Sequence, residues 1–321
     1  MSHGALALLI TGGTENWAAP RWRERFRRVC PDRAVALIPD DAIDPALVRF
    51  AAVWKPQPGA LKGFPNLAVI FNLGAGVDAV MADNTLPHVP LVRVAVDDLT
   101  KRMTEYVVMH VLMHHRRQSY YAESQQKRLW APKLQWAARD LRVGIMGMGV
   151  LGRDAAEVLA RLGFDVAGWS GSAKSIPGMR CYAGDAELRA FLARTDVLVC
   201  LLPLTPQTRG ILKAKTFAGL ARDGKLGGPV VINAGRGGLQ NESDLLAALD
   251  DGTLVAATLD VFGTEPLPPD SRFWSHPKVT LSPHNAADTD ADDISVYVAG
   301  QIAAFERGEP LVNVVDRKVG Y

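Results

Sequence analysis

The stretch Arg142-Val-Gly-Ile-Met-Gly-Met-Gly-Val-Leu-Gly152 sets Gly147, Gly149 and Gly152 in G-x-G-x-x-G spacing directly behind an apolar run. Residues 141–146 predict a buried strand. Beyond the glycines, Leu151, Ala155, Val158, Leu159 and Leu162 recur at helical spacing and define one apolar face. Strand, glycine turn and helix in that order make a place to hold a dinucleotide. The first glycine permits the tight turn, the second lets backbone approach a pyrophosphate, and the third lets helix pack on strand, while the helix N-terminus offers unpaired N–H groups to the anion. A glycine motif alone is equally compatible with a plain structural turn; the flanking elements give this one its meaning.

Outward from this turn, short β-like runs alternate with helical patterns along nearly the whole chain, which predicts an α/β protein built on parallel sheets covered by helices. Downstream, strands are expected at 165–169, 197–201, 229–233, 254–260 and 279–281. Upstream, a first set is expected at 5–10, 34–38, 52–54, 68–71 and 91–94, with helices near 17–29, 45–50 and 77–81. Each set makes one doubly wound unit, and 321 residues exceed what one hydrophobic core usually supports, so two domains are expected. A helical pattern from 101 to 127 reads as the connecting element. A last one, 292–306, follows the second unit's final strand and is placed to fold back onto the first. The Gly/Pro-rich stretch 223–229 reads as a surface loop.

Hydrophobic residues make up 48% of the chain and charged residues 22%, an ordinary globular balance that argues against disorder. A net charge of +2 leaves no electrostatic footprint for nucleic acid or a membrane surface. Arg21, Arg23, Arg25, Arg27 and Arg28 share a helix pattern with Trp22, Phe26 and Val29 and read as a solvated basic face. Cys30, Cys181 and Cys200 are isolated and odd in number, which suits a reducing compartment. No export signal and no apolar run of membrane-spanning length is evident, so a soluble cytoplasmic protein is expected. His110 and His114 share a helix face, with His115 beside them, but no acidic or Cys ligand accompanies them and no metal is expected.

Three polar residues stand at or just after expected strand ends: Arg236 in Asn-Ala-Gly-Arg-Gly, Glu265 after Leu-Asp-Val-Phe-Gly-Thr, and His284 in Ser-Pro-His-Asn-Ala-Ala. That edge of an open α/β sheet is where ligands bind. An Arg, a carboxylate and a His reaching one site suit a 2-oxo acid, because Arg offers paired donors to a carboxylate or carbonyl oxygen and His exchanges the proton that accompanies hydride. Glu265 beside the imidazole would fix its tautomer and favour its charged form.

Taken together, Gly-Met-Gly-Val-Leu-Gly at 147–152, Leu-Leu-Pro-Leu-Thr-Pro-Gln-Thr at 201–208, Ile-Asn-Ala-Gly-Arg-Gly at 232–237, Leu-Asp-Val-Phe…Glu-Pro-Leu-Pro at 259–268 and Ser-Pro-His at 282–284 resemble the D-isomer-specific 2-hydroxyacid dehydrogenases. Trp-Ser at 169–170 and the terminal Val-Asp-Arg…Gly-Tyr are similar to the glyoxylate/hydroxypyruvate reductase branch. The resemblance implies a flavodoxin-like substrate domain (1–98 and 286–321), a Rossmann cofactor domain with a dimerisation helix (99–285), and an active site in the cleft between them. It implies His284 as proton donor, Glu265 as its partner and Arg236 as the group that orients and polarises the substrate. Substrate contacts would include Trp54 and the loop Gly74, Ala75, Gly76, whose backbone N–H groups ahead of a helix can receive a carboxylate. Cofactor contacts would come from Gly147, Gly149, Val150, Leu151, Gly152, Trp169, Ser170, Ser172, Lys174, Leu202, Pro203, Thr208, Ala234, Arg236 and Asp260. A homodimer is implied, with Trp130 and Trp136 placed to reach a neighbouring subunit.

An acid about 20 residues past the glycine turn would accept from the ribose 2′-hydroxyl of NAD and repel the 2′-phosphate of NADP. Here that strand end reads Gly168-Trp-Ser-Gly-Ser-Ala-Lys174, with no acid. NADP is therefore preferred, with NAD possible; Gly171 departs from the branch, where an Arg commonly stands, and Lys174 is a less specific point charge. The expected reaction is NAD(P)H-dependent reduction of a small 2-oxo acid to the D-2-hydroxy acid. Two other readings stay open: a nucleotide-sensing regulatory protein, and the same chemistry on bulkier acids such as phenylpyruvate.

Overall fold

The computed structural model describes residues 4–12, 17–318 and 320, so Tyr321 of the terminal motif lies outside the described residues. The chain divides into two compact units, Met1–Leu99 with Thr289–Tyr321, and Thr100–Asp288.

In the first unit, β1 (Ala5–Ile10), β2 (Val35–Leu37), β3 (Val48–Trp54), β4 (Val69–Asn72) and β5 (Leu91–Arg93) form a parallel sheet in the order β2-β1-β3-β4-β5. Alternate residues bury opposite faces, as strand geometry requires. Leu6, Leu8, Phe50, Ala52, Val69 and Phe71 pack under Trp22 and Phe26 of α1 (Ala19–Val29) and under Ile294, Val298 and Ile302 of the C-terminal helix Ala291–Glu306. Ala7, Leu9, Ala51, Val53 and Ile70 pack the other face, against Leu61, Phe64 and Val80. The C-terminal helix thus belongs to this unit's core. Part of the arginine face expected to be solvated helps to dock it, because Arg25 and Arg28 both pair with Asp292, at 2.9 and 2.6 Å.

Two local expectations need correction. Residues 45–50 read as helical, but only Pro45–Leu47 form a single 3₁₀ turn before β3 begins at Val48. Val48 and Phe50 are buried while Arg49 between them is exposed, and that period of two wins over the short helical pattern. The helical pattern from 101 to 127 is two helices, α3 (Asp97–His115) and α4 (Gln118–Gln126), broken where Arg117 takes a left-handed φ of 58°. Between α1 and α3 in chain order, α2 (Asp78–Met81) is a single turn.

The second unit holds β6 (Arg142–Met146), α5 (Val150–Arg161), β7 (Asp165–Ser170), β8 (Arg180–Ala183), α6 (Gly184–Ala193), β9 (Val197–Cys200), α7 (Ala214–Ala218), β10 (Val230–Asn233), α8 (Glu242–Asp250), β11 (Ala256–Leu259) and β12 (Val279–Leu281). All strands are parallel, in the order β12-β11-β10-β9-β6-β7-β8. The chain winds one way from β6 to β8 and the other way from β9, so the order reverses at β6, the switch point where open α/β sheets bind ligands. Edge strand β8 was not expected, since of its four residues only Tyr182 is fully buried and it carries no apolar run. Opposite the ligand edge, Arg142 at the start of β6 forks onto buried Asp196 through Nε and Nη2, at 3.1 and 2.7 Å, tying β6 to the segment before β9. Among the described residues no helix is long and apolar enough to cross a membrane.

Candidate active site

The glycine turn does what its spacing predicts. Gly147 has φ +105°, and a Cβ there would meet the Leu201 carbonyl at 2.8 Å. A Cβ on Gly152 would lie 1.9 Å from Gly147 O, so helix and strand are pressed together at this point. Gly149 is the opposite case: its Cβ would meet nothing within 4 Å. Helix α5 starts there without a side-chain cap and with no acid in its first turn. Open N–H groups, a positive helix end and a backbone clear of side chains fit a dinucleotide pyrophosphate.

At the end of β7, Ser170 donates its hydroxyl to Ser172 O at 2.8 Å, and Ser172 and Lys174 are exposed on the following loop. Trp169 is a core residue, 4% exposed, with its indole N–H on Gly184 O at 3.0 Å. Leu202 and Ala234 are also buried, and the Thr208 hydroxyl donates to Pro203 O at 2.6 Å. Their side chains shape the loops, leaving backbone as the surface they offer to a nucleotide. Val150 and Leu151 open α5, Val150 exposed and Leu151 half-buried.

Arg236, Glu265 and His284 follow β10, β11 and β12, which are adjacent in the sheet. Pairing register sets Asn233 opposite Leu259 and Leu259 opposite Leu281, so the three strands end level. The structure brings His284 and Glu265 together: Nδ1 lies 2.7 Å from Oε2. Glu265 is itself held, because its Oε1 accepts the Phe262 N–H at 3.0 Å. With Nδ1 occupied by the carboxylate, Nε2 is the nitrogen left for proton exchange. His284 sits at φ +55°, an unusual conformation for a side-chain-bearing residue, and its N–H donates to Asp260 O at 2.8 Å.

The Arg236 loop is stapled to the Glu265 loop from below. Asn233 Nδ2 donates to Arg236 O and to Gln240 Oε1, at 3.1 and 2.9 Å, and Gln240 Nε2 donates onward to Val261 O at 3.1 Å. A Cβ on Gly237 would stand 1.9 Å from Phe262 O, so the two loops touch through backbone.

Asp260 is 2% exposed. Its carboxylate accepts from Ser282 Oγ at 2.7 Å and from the N–H groups of Asn285 and Ala286 at 3.0 and 3.1 Å. It therefore braces the turn that carries His284. Ser282 spends its one proton on Asp260, so Tyr106 of α3, whose hydroxyl is 2.9 Å from Ser282 Oγ, must be the donor in that contact. Sequence reading assigned no role to Tyr106, Ser282, Gln240 and Asn233; Ser282 and Asn233 lay inside quoted motifs, while nothing local marks Tyr106.

The three histidines of α3 go to separate places. His114 Nε2 lies 2.8 Å from Thr258 Oγ1, His110 packs on the Tyr106 ring at 4.3 Å, and His115 packs on Phe164 at 5.2 Å. Burial pushes the His114 imidazole down to about 4, with His110 adding to the effect, and lowers His110 and His115 as well.

In the first unit Trp54 ends β3 and its ring lies against Gly74, where a Cβ would meet it at 2.5 Å. Trp17 packs on Trp54 with ring centroids 4.9 Å apart. The helix behind Gly74, Ala75 and Gly76 is the single turn α2, so any anion binding there falls to individual N–H groups rather than to a helix dipole.

A doubly wound sheet with a dinucleotide turn at its switch point and an imidazole–carboxylate pair at the same edge defines a nicotinamide-dependent oxidoreductase with acid/base chemistry. The model of the D-isomer specific 2-hydroxyacid dehydrogenase NAD-binding domain matches residues 108–286. A glyoxylate/hydroxypyruvate reductase A of Salmonella heidelberg is 42% identical over 278 residues, covering 85% of this chain and 87% of its own. Among solved structures, an NADPH-dependent glyoxylate/hydroxypyruvate reductase from Sinorhizobium meliloti in complex with NADP and sulfate is 46% identical, with a TM-score of 0.93 over 99% of this chain and 100% of its own. A probable 2-hydroxyacid dehydrogenase from Rhizobium etli in complex with NADP is 42% identical, with a TM-score of 0.92 over 99% of each chain. The chain belongs to the D-isomer-specific 2-hydroxyacid dehydrogenase family.

Proposed function

We propose that the protein uses NADPH to reduce a small 2-oxo acid of the glyoxylate or hydroxypyruvate type to the D-2-hydroxy acid. The observation that carries this reading is the His284–Glu265 pair, 2.7 Å apart at the ligand edge of the sheet whose switch point holds the glycine turn. The named activity of the Salmonella and Sinorhizobium relatives supports the substrate class.

A nicotinamide held at this edge would supply hydride chemistry at the carbonyl carbon. Arg236 holds the substrate's carboxylate and draws on its carbonyl oxygen. His284 delivers the proton from Nε2 to that oxygen, so C=O becomes CH–OH and the imidazole is left neutral. Glu265, fixed by the Phe262 N–H, holds the ring in place and offsets its charge before transfer. A His284 side chain 38% exposed can be reprotonated from water. Gly147, Gly149 and Gly152 hold the pyrophosphate with the first turn of α5, and Asp260, Ala234, Leu202, Pro203 and Thr208 shape the nicotinamide side. Ser170, Ser172 and Lys174 take the 2′-phosphate, the absence of an acid at this strand end favouring NADP over NAD. The NADP complexes of the Sinorhizobium and Rhizobium proteins support that preference.

The working form is a cytoplasmic homodimer. Trp130 is 99% exposed, beside exposed Leu129 and Leu134, and a second copy is the surface proposed to cover it. Trp136, half-buried under Lys225, contributes less.

The test is a panel of 2-oxo acids, from glyoxylate to phenylpyruvate, followed at the nicotinamide absorbance with NADH and NADPH. Fast oxidation of NADPH by the small acids is expected, and His284→Ala should lose most turnover while still binding NADPH. No turnover of any acid, or a His284→Ala variant at near-normal rate, would overturn the proposal.

A further inference from the structure

Glu242 opens α8 and is half-buried, a carboxylate with no place in the reading above. A carboxylate in a first turn ordinarily serves the helix itself, by facing its open N–H groups. Here that task is taken: Asn241 caps the helix, its Oδ1 accepting the Asp244 N–H at 3.1 Å and the Ser243 hydroxyl at 2.7 Å. Glu242 serves another loop instead, where its Oε1 accepts the Gly263 N–H at 2.8 Å.

That bond falls where packing stops holding the chain. Val261 and Phe262 are buried, whereas Gly263, Thr264 and Glu265 are exposed, and Gly263 has no side chain with which to pack. Two consecutive peptide units lie at this boundary. The first, between Val261 and Phe262, is held at both edges: Val261 O accepts Gln240 Nε2 at 3.1 Å, and the Phe262 N–H donates to Glu265 Oε1 at 3.0 Å. The second, between Phe262 and Gly263, has Gly237 against its face, where a Cβ would stand 1.9 Å from Phe262 O and 2.6 Å from Gly263 N. Its N–H edge is held by Glu242. Contact on one face limits approach but does not set the angle of a peptide plane; a hydrogen bond at the N–H, being directional, does. Residues 240–242 therefore grip 261–263, and that segment in turn holds the Glu265 carboxylate that meets His284 Nδ1 at 2.7 Å.

We infer that Glu242 is a positioning residue for the acid/base pair: by fixing the Gly263 N–H it sets where the Glu265 carboxylate, and through it the His284 ring, is held. This rests on the reductase reading and extends its machinery to the start of α8. Glu242 acts on the imidazole through the 262–265 turn, so its effect falls on kcat and leaves the affinities for acid and nucleotide in place.

The experiment compares three variants. Glu242→Gln keeps the acceptor and drops the charge; Glu242→Asp keeps the charge at the helix N-terminus but is one methylene too short for the bond; Glu242→Ala loses both. For Glu242→Asp and Glu242→Ala the expected result is a kcat with glyoxylate lowered about tenfold, the order a displaced catalytic group accounts for, with KM and the Kd for NADPH within about twofold of wild type. Glu242→Gln should turn over as wild type does. Glu242→Ala/Glu265→Ala should be no slower than Glu265→Ala alone, because both residues act along one line. A merely structural carboxylate would lower the unfolding temperature without separating kcat from KM, and its loss would multiply with that of Glu265. A folded Glu242→Asp or Glu242→Ala enzyme with wild-type kcat overturns the inference, as does a Glu242→Gln enzyme as slow as Glu242→Ala. Should Glu242→Ala not fold, Glu242→Asp, which retains an acid in the first turn, decides alone. Wild-type inactivity toward every 2-oxo acid would instead remove the reductase reading.

Discussion

Two glycines three residues apart in one motif should respond to the same substitution in opposite ways. At Gly152 a methyl group would sit 1.9 Å from Gly147 O and 3.0 Å from Gly147 C. Ordinary contact needs more than 3 Å, and the neighbour is backbone, so helix and turn must separate by roughly 1 Å or more, as overpacked sites do. That movement strains the Gly147 N–H bond to Trp169 O, 2.8 Å long in the native fold. Overpacking of about 1–3 kcal/mol plus about 1 kcal/mol for a weakened hydrogen bond gives a loss of roughly 2–4 kcal/mol. In a unit of this size that is a fall in Tm of roughly 4–16 °C.

At Gly149 the methyl meets nothing, and φ −78° with ψ −163° is extended backbone that alanine adopts freely. Only the loss of glycine at an N-cap remains, about 1 kcal/mol at most. The open space is where the pyrophosphate must approach, however, and a methyl there weakens one or two charge-assisted hydrogen bonds of about 1.5–3 kcal/mol each. Gly149→Ala should therefore keep its Tm within a few degrees and bind NADPH at least tenfold more weakly. Gly152→Ala should lose Tm first. Thermal unfolding without nucleotide, paired with a fluorescence titration of NADPH, reads both quantities. A Gly149→Ala protein with wild-type affinity, or a Gly152→Ala protein with unchanged Tm, would refute the assignment of the turn.

Glu265→Ala should lower kcat about 10²–10³-fold, within the span of general acid–base effects, and His284→Ala/Glu265→Ala should be no slower than His284→Ala alone, because Glu265 acts through the imidazole; multiplicative losses in a steady-state assay would contradict this. Ser282→Ala should destabilise by roughly 1.5–3 kcal/mol, since it takes a donor from a buried carboxylate, whereas Tyr106→Phe should cost about 1 kcal/mol; chemical denaturation ranks the two, and the reverse order would break the proposed brace. His114 is held neutral in the fold, with its value lowered from 6.5 to about 4, so below pH 6.5 the unfolded chain takes up a proton that the folded protein refuses. Stability is then lost as pH falls from 6.5 to 4, by up to roughly 3 kcal/mol. Urea unfolding at pH 7 and pH 4.5 should show a drop that is smaller in His114→Gln, and equal drops would remove His114 from the account.

How much could be read from the chain follows the range of each interaction. Gly147, Gly149 and Gly152 are legible because one turn uses all three, and Arg236, Glu265 and His284 because each sits a few residues past an apolar strand. Strand β8 escaped notice for want of an apolar run, and residues 48–50 were misread because a proline turn precedes them. Tyr106 and Ser282 are 176 positions apart, and Arg25 and Asp292 are 267 apart. No local pattern encodes such pairs; the sheet order creates them. Asn72 is the intermediate case: its Nδ2 donates to Gly74 O and Gly76 O, two and four residues away, but those bonds depend on which way two carbonyls face, a backbone choice that residue identity leaves open.

The same sheet order explains why these residues can act as a unit. Met146, Cys200, Asn233, Leu259 and Leu281 lie in one row across five neighbouring strands, so every loop beyond them starts at the same level. Strand spacing of about 4.8 Å puts Arg236's strand about 10 Å from the glycine turn's strand, with β9 between, and the strands of Glu265 and His284 one and two steps further. Residues on loops would ordinarily drift at that separation. Here each loop is fixed to its neighbour: Gly237 against Phe262, Gln240 to Val261, Asp260 to the 284–286 turn and Glu265 to His284. Because every tie runs from one loop to the next, displacing the Gly237 contact should disturb His284 as well as Arg236, and Gly237→Ala, with a Cβ 1.9 Å from Phe262 O, is expected to lose turnover far beyond its loss of cofactor affinity. Equal losses in kcat and in NADPH binding would show instead that the loops move independently.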